Sequence, residues 1–142
     1  MKEVGILNRD IAAAISGQGH GDLMMVADAG FAIPADLEVI DISISENKPM
    51  VMDVLEELSR FFSVEKMYMS NETEEISPSH FKRVSGAFGE DVEIETLPHP
   101  ELKELSKKVK TVIRTGDFTA YGNVILVSGA GPRWYCEVET SA

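Results

Sequence analysis

The stretch GHGDLMMVADAG, residues 19–30, decides the fold of this chain. Its centre, LMMVA, is a short unbroken apolar run that stops at Asp28, and such a run is typical of a β-strand buried on both faces. Upstream, Asn8 is a residue type that caps a helix, while Gly17 and Gly19 are residue types that end one. A helix followed by a strand that needs cover on both faces predicts an α/β protein.

The rest of the sequence continues this alternation of strands and helices. Strand patterns occur in LEVIDISI (37–44), VEKMYMS (64–70), VEIETL (92–97), TVIRTG (111–116) and NVILVSG (123–129). Helical spacing occurs in NKPMVMDVLEELSRFF (47–62), SPSHFKRVSGAFG (77–89) and PELKELSKKV (100–109). The acidic stretch SNETEEISPS (70–79) is interpreted as a solvated loop without a functional role. Because no repeat or linker divides the chain, we predict one domain over residues 1–142.

The composition limits the compartments in which the protein is expected and the classes of partner that it can bind. A chain of 142 residues can bury a core of its own, and its single cysteine, Cys136, cannot form a bridge within it. The N-terminus has no apolar core of a signal peptide and no apolar run is long enough to span a membrane, so we expect a cytoplasmic protein. A formal net charge of -11 argues against binding to nucleic acid or to an anionic membrane. Neutral small molecules and other proteins remain as partners.

Asp28 is the first candidate for chemistry. In open α/β sheets, ligands bind beyond the carboxyl ends of strands, where a carboxylate beside small residues can accept hydrogen bonds from hydroxyl groups. The alternative is that Asp28 only caps the next turn. The glycines at 17, 19 and 21 could suggest a phosphate loop, but such loops follow a strand and open a helix, whereas these close a helix and open a strand.

Two histidines are further candidates. An imidazole gives or takes a proton near neutral pH, and the glycines beside His20 would let a ligand approach it closely. From composition alone, His20 fits a solvated loop residue better than a catalyst. His99 lies between Pro98 and Pro100, which would fix the direction of its side chain.

Tyr121 and Asn123 are candidates for recognising a sugar. Their spacing of two places them on the same side of an extended backbone between two predicted strands. Asn123 offers a donor and an acceptor, and Tyr121 adds a ring and a phenol. The alternative is the edge of an ordinary β-hairpin.

A metal site in this sequence would have to gather His20, Asp22, Asp28 and His99. No pair among these residues has a recognised ligand spacing, so we predict no metal.

Taken together, several short motifs resemble those of the D-ribose pyranase family. They are GILN (5–8), GHGD (19–22), ADAG (27–30) and VIRTGDFTAYGNVIL (112–126), and their order and spacing match from the N-terminus to about Val127. Members of this family are sugar mutarotases, related to the fucose mutarotases, that convert D-ribose between pyranose and furanose rings without a cofactor. The resemblance implies a three-layer α/β/α domain.

The resemblance also implies roles for particular residues. The proton donor of the family falls on His20. Contacts to the sugar fall on Asp28, His99, Tyr121, Gly122 and Asn123. Opening a hemiacetal ring requires a proton on the ring oxygen while the anomeric hydroxyl loses one, so one acid/base group with a pKa near the working pH is sufficient. The group that removes the anomeric proton is not identified by the sequence.

The family forms ring-shaped oligomers, typically a decamer of two stacked pentamers with sites near the subunit boundaries. We expect the same self-association here, with D-ribose or a related monosaccharide as the ligand. Two departures stand out. Residues at about 128–142 form a tail that the family usually lacks, with Trp134, Tyr135 and Cys136, which is interpreted as an extra strand, a subunit contact or a cover for the site. In ADAGFAIP (27–34), Phe31 and Ala32 come after Asp28 at a place where the family more often has a proline-bearing turn, so the wall of the pocket is expected to differ.

Three other functions are compatible with parts of this pattern. A fucose-type mutarotase would exchange anomers, but that branch tends to have a histidine in place of Gly30 and to lack the histidine found at position 99. A sugar-binding accessory of ribose uptake would not need His20 as a proton donor. An unrelated structural subunit would require the motifs to coincide by chance.

Overall fold

The run LMMVA forms the strand β1 (Leu23–Ala27) at the centre of the sheet. The computed structural model describes residues 1–138. Met24, Met25, Val26 and Ala27 are fully buried, which confirms a strand covered on both faces. The preceding helix is α1 (Arg9–Ser16), whose first backbone N–H groups donate to Asn8 Oδ1 and which ends at Gly17.

The other predicted elements are present, several of them shorter than their sequence patterns. The strands are β2 (Glu38–Asp41), β3 (Val64–Ser70), β4 (Glu93–Leu97), β5 (Thr111–Arg114) and β6 (Val124–Ser128). The predicted helices are α2 (Val51–Phe61), α4 (Pro78–Ser85) and α5 (His99–Ser106), and a further helix, α3 (Asn71–Ile76), was not predicted. No helix in residues 1–138 is long and apolar enough to cross a membrane.

One six-stranded sheet runs in the order β2-β5-β1-β6-β3-β4. β1 pairs in parallel with β5, which pairs in parallel with β2. β3 and β4 are also parallel, whereas β6 lies antiparallel between β1 and β3. The residues that follow β1, β3, β4 and β5 therefore lie at the same edge of the sheet as the residues that precede β6. We call this edge the carboxyl edge.

Helices cover both faces of the sheet. Because side chains alternate along a strand, Met24 and Val26 pack on one side, against apolar residues of α1, α2 and α4. Met25 and Ala27 pack on the other side, against Leu102 of α5. The predicted three-layer α/β/α arrangement is confirmed.

Two local predictions were wrong, and one alternative is excluded. The acidic stretch 70–79 is not a loop, because it contains α3, which Ser70 caps by accepting the backbone N–H of Thr73. The alternative of a β-hairpin around Tyr121 and Asn123 is excluded, since β1 lies between β5 and β6. Tyr121 is not in extended backbone, because its φ of 54° lies in the left-handed region.

The tail follows β6 directly. Its residues 129–138 contain neither helix nor strand, so the extra strand is not found there. The remainder of the predicted tail, residues 139–142, lies outside the described residues.

Candidate functional site

The carboxyl edge gathers most of the predicted site residues. Asp28 follows β1, His99 follows β4, and Tyr121, Gly122 and Asn123 precede β6. The antiparallel direction of β6 is what brings its first residues to the edge where the parallel strands end. Five residues that are distant in sequence therefore form one neighbourhood.

Asp28 is buried and hydrogen-bonded through both carboxylate oxygens. The backbone N–H of Gly30 donates to Oδ1 (3.0 Å), and that of Gly122 donates to Oδ2 (3.1 Å). The backbone N–H of Asp28 in turn donates to Oδ1 of Asn123 (2.8 Å). These bonds fix Asp28 against the start of β6. The expected turn cap is present through Gly30, and the contact with Gly122 is additional to it.

The segment 120–122, which we call the 120–122 loop, is held by side chains of α3 and α4. Ser77 donates to the carbonyl oxygen of Ala120 (2.7 Å) and Thr73 to that of Tyr121 (2.6 Å). Nε2 of His80 lies 3.0 Å from the carbonyl oxygen of Gly122, and because a carbonyl only accepts, the ring donates there. His80 is buried, and within residues 1–138 its Nδ1 has no hydrogen-bond partner. These three side chains determine where the 120–122 loop lies.

Gly122 leaves little room for a side chain. A Cβ atom there would lie 3.0 Å from the carbonyl oxygen of Thr119, 3.4 Å from His80 Nε2 and 3.5 Å from Asp28 Cβ. The glycine therefore allows the loop and Asp28 to approach each other closely.

An aromatic wall stands beside Asp28. The His99 ring meets the edge of Tyr121 at 5.1 Å between centroids and that of Phe31 at 6.1 Å. His99 is the first residue of α5, so the predicted start at Pro100 is one residue late, and its backbone N–H donates to the carboxylate of Glu72 (3.0 Å). Helix α3, predicted to be a functionless loop, thus also orients His99.

These groups line a cleft of about 290 Å³. Its lining residues are Asp28, Gly30, Phe31, Ala32, His99, Lys103, Tyr121 and Asn123. Phe31 and Ala32 form part of the wall, at the place where the sequence departs from the family pattern. We call this space the Asp28 cleft.

Arg114 fixes the backbone next to Asp28. Its guanidinium donates to the carbonyl oxygen of Ala29 (2.8 Å), to Asp41 Oδ2 (2.9 Å) and to Ser43 Oγ (2.7 Å). The backbone next to Asp28 is therefore tied to β2 as well as to β6.

The two buried carboxylates near this edge have pKa values shifted in opposite directions. Burial raises the pKa of Asp28, against the opposing effect of the N–H groups of Gly122 and Gly30. Burial also acts to raise the pKa of Asp117, but hydrogen bonds from Thr119 and Val51 outweigh it and leave that pKa below its usual value. The backbone N–H of Val51 donates to Asp117 Oδ2 (2.9 Å), which joins this edge to α2.

These shifts predict opposite effects of pH on stability. Asp28 stabilises the fold most below the pKa of the unfolded chain, about 3.9, and that contribution is lost as the pH rises through its raised folded pKa. Asp117 stabilises the fold above that value, and its contribution is lost as the pH falls through its lowered folded pKa. In Asp28→Asn, we expect the unfolding free energy to rise more steeply with pH than in wild type above about pH 4. In Asp117→Asn, we expect the unfolding free energy to rise less steeply with pH than in wild type below about pH 4. Urea unfolding at a series of pH values measures both, and curves parallel to wild type would contradict the assignment.

His20 lies at the opposite edge of the sheet. It precedes β1 whereas Asp28 follows it, and a strand of five residues spans roughly 16 Å. The His20 ring is largely exposed, with Nε2 3.3 Å from Oε2 of Glu65, the second residue of β3. One copy of the chain therefore does not bring His20 to the Asp28 cleft. The same separation keeps His20 and Asp22 apart from Asp28 and His99, the other two residues that a metal site would have to gather. Within residues 1–138, no group of three His, Cys, Asp or Glu residues could hold a metal ion.

Several residues around the Asp28 cleft, and Glu65 beside His20, were missed by sequence reasoning. They are Glu65, Glu72, Thr73, Ser77, His80, Lys103, Arg114 and Asp117. Thr73 lies between Glu72 and Glu74, and His80 is of a polar residue type, so the sequence marks neither of them as buried. Only the pairing of β3, β6 and β1 brings their side chains to the 120–122 loop.

Comparison with known proteins identifies close relatives over most of the chain. The model of the RbsD / FucU transport protein family matches residues 1–131. The D-ribose pyranase of Lactobacillus johnsonii is 42% identical over 129 residues, which cover 91% of this chain and 98% of that protein. All six candidate site residues lie within the matched range, whereas the tail from residue 132 lies beyond it.

Two solved structures share the fold. The structure of Bacillus subtilis RbsD complexed with D-ribose has a TM-score of 0.87 at 38% identity, and the match covers 92% of this chain and 98% of that one. The fucose mutarotase of Streptococcus pneumoniae in complex with L-fucose has a TM-score of 0.75 at 19% identity, over 92% of this chain and 99% of that one. At that identity the second match shows a common fold alone.

Proposed function

Because this chain belongs to the RbsD / FucU transport protein family, we propose that it is a D-ribose pyranase, which interconverts the pyranose and furanose forms of D-ribose. The observation that carries the proposal is the Asp28 cleft, where Asp28, His99, Tyr121 and Asn123 line one space of about 290 Å³. The relatives named D-ribose pyranase and the RbsD structure that holds D-ribose support this substrate.

The cleft offers the groups that a monosaccharide requires. Asp28 accepts hydrogen bonds from sugar hydroxyls, and the amide nitrogen of Asn123, whose Oδ1 is already used by the Asp28 backbone, donates to them. Tyr121 presents a ring edge and a phenol, and Gly122 contributes backbone groups. His99, braced between Phe31 and Tyr121, completes the wall.

The reaction needs only proton transfer. In ribopyranose, the anomeric hydroxyl loses its proton, the bond between C1 and the ring oxygen of C5 breaks, and that oxygen gains a proton. The open-chain aldehyde then recloses through the C4 hydroxyl to give the furanose. His20 is the proton donor, and no redox step or cofactor is involved. Glu65 is the carboxylate that orients the His20 ring.

His20 reaches the sugar from a second copy of the chain. Within one copy it lies at the far edge of the sheet from the Asp28 cleft, so a complete site requires the His20 edge of one subunit to face the Asp28 cleft of the next. A closed ring provides this head-to-tail contact at every subunit. We propose a homo-oligomeric ring, with a decamer of two stacked pentamers as its form.

We further propose that the reaction takes place in the cytoplasm and serves ribose catabolism. The one cysteine, Cys136, is exposed and free, which suits a reducing compartment. The formal charge of -11 suits a neutral sugar better than an anionic ligand.

Exchange NMR on equilibrated D-ribose tests the proposal. With the wild-type protein, the rate of exchange between the pyranose and furanose forms of D-ribose is expected to be well above the spontaneous rate measured without protein. The anomers of L-fucose are expected to exchange no faster with the protein than without it. Exchange of fucose anomers alone would identify a fucose-type mutarotase. Saturable ribose binding without exchange would identify a sugar-binding accessory.

A further inference from the structure

A second cavity lies at the His20 edge of the sheet. It has a volume of about 340 Å³, and its lining includes Gln18, His20, Phe61, Phe62, Ser128 and Trp134. Polar groups of the α1–β1 turn thus face apolar rings of α2 and the tail. We call this space the His20 cavity.

Trp134 is held at this cavity by the backbone around it. Its indole Nε1 donates to Ser63 Oγ (3.1 Å), and its backbone N–H donates to the carbonyl oxygen of Gly131 (3.0 Å). The end of β6, from which the tail starts, is joined to the His20 turn, because the Gly21 N–H donates to the carbonyl oxygen of Ser128 (2.7 Å). The first tail residue, Gly129, donates its N–H to the carbonyl oxygen of Ser63 (3.2 Å), so the indole and His20 line the same cavity.

The indole keeps a large open surface. Trp134 is 69% exposed although it lines the cavity, so much of its apolar ring has no cover within residues 1–138. Aromatic rings combine a large apolar face with little conformational freedom, which suits them to pack on the C–H face of a sugar. Trp134 also lies beyond residue 131, where the family match ends, so its role does not follow from the family.

We propose that Trp134 contacts the sugar on which His20 acts, as an aromatic wall that determines which monosaccharide is accepted. This inference rests on the proposed function, in which the sugar lies between the His20 edge of one subunit and the Asp28 cleft of the next. The indole packs on the apolar face of the sugar while His20 reaches its ring oxygen. This chain therefore has a specificity-determining residue outside the common part of the family.

Fluorescence gives a direct test, since Trp134 is the only tryptophan in the chain. Addition of D-ribose to the full-length protein is expected to change tryptophan emission and to reduce quenching by acrylamide. The half-saturating ribose concentration should equal that measured for ring exchange by NMR. The response reports on contact, whether or not exchange is catalysed.

Two variants and a matched control complete the test. Trp134→Ala is expected to raise the half-saturating ribose concentration for exchange about five- to tenfold, with a nearly unchanged maximal rate. Trp134→Phe is expected to have a half-saturating concentration between those of wild type and Trp134→Ala. Tyr135→Ala, at a neighbouring side chain that is 90% exposed, should match wild type. Circular dichroism of each variant checks that the fold is retained.

The outcomes separate this inference from the proposed function. Ribose exchange with no change in emission and wild-type kinetics in Trp134→Ala would overturn the contact and leave the pyranase reaction standing. A saturable change in emission without exchange would support the contact and overturn the reaction. Emission that depends on protein concentration but not on sugar would assign Trp134 to a subunit contact and overturn the proposal.

Discussion

Replacing His20 with alanine is expected to lower the catalysed rate of ribose ring exchange by roughly 10²–10⁴-fold, the usual contribution of general acid–base catalysis. The ring is largely exposed, and within residues 1–138 its polar partner is Glu65, so the variant should retain its fold and its ribose binding in the Asp28 cleft. Exchange NMR measures the rate, and a titration with D-ribose measures binding. A variant that exchanges ribose at the wild-type rate would remove His20 from the mechanism.

The same variant tests whether the site is shared between subunits. Asp28→Asn leaves His20 intact at the other edge of the same chain, so each variant lacks a different half of the site. In oligomers formed by co-expressing the two variants in equal amounts, about a quarter of the sites would combine an intact His20 with an intact Asp28. Exchange activity should therefore return to roughly a quarter of wild type in the mixture. Activity no higher than that of the separate variants would contradict a shared site.

Replacing His80 with leucine is expected to destabilise the protein and weaken sugar binding together. The substitution removes the donor to the buried carbonyl oxygen of Gly122, and an unpaired buried acceptor costs about 1–3 kcal/mol of unfolding free energy. Because the N–H of Gly122 holds Asp28 Oδ2, displacement of the 120–122 loop also disturbs Asp28. We expect ribose affinity to fall roughly tenfold, which corresponds to about 1.4 kcal/mol.

His80→Gln serves as the matched control, because its amide nitrogen can donate to the same carbonyl. Urea unfolding gives the stability, and the ribose dependence of exchange gives the affinity. Glutamine should recover a large part of both losses. If leucine lowers stability and leaves ribose affinity at the wild-type value, His80 is a structural residue only and does not position the site.

The elements that could be predicted from the sequence are those whose pattern is local. LMMVA could be predicted as a buried strand because its apolar run and the flanking turn residues are sufficient for that. Asn8, a residue type that caps helices, likewise indicates where α1 begins. Helix α3 was missed because half of its six residues are acidic and only one is apolar, so the stretch has no apolar period. Its start was nevertheless indicated by Ser70, a good N-cap, followed by acidic residues in the first turn.

The site was predictable only as far as its motifs reach. Asp28 and the 120–122 loop carry a recognisable pattern, but the residues that hold them are of ordinary types at distant positions. Thr73 is separated from Tyr121 by 48 residues and Arg114 from Ala29 by 85, so only the strand register brings each pair together. The left-handed backbone of Tyr121 is rare for a side chain of its size and has no sign in the sequence.

The antiparallel strand β6 also has a consequence for the order in which the sheet can form. Within residues 1–138 it is the last strand along the chain, yet it joins β1 to β3 at the middle of the sheet. Before residues 124–128 pair, β2-β5-β1 and β3-β4 are two separate pieces, and each has an open edge. Unpaired edges of this kind invite pairing with other chains. Because Asn123 and Gly122 reach Asp28 only when β6 is in place, we expect the chain to complete its sheet and its Asp28 cleft in the same folding step.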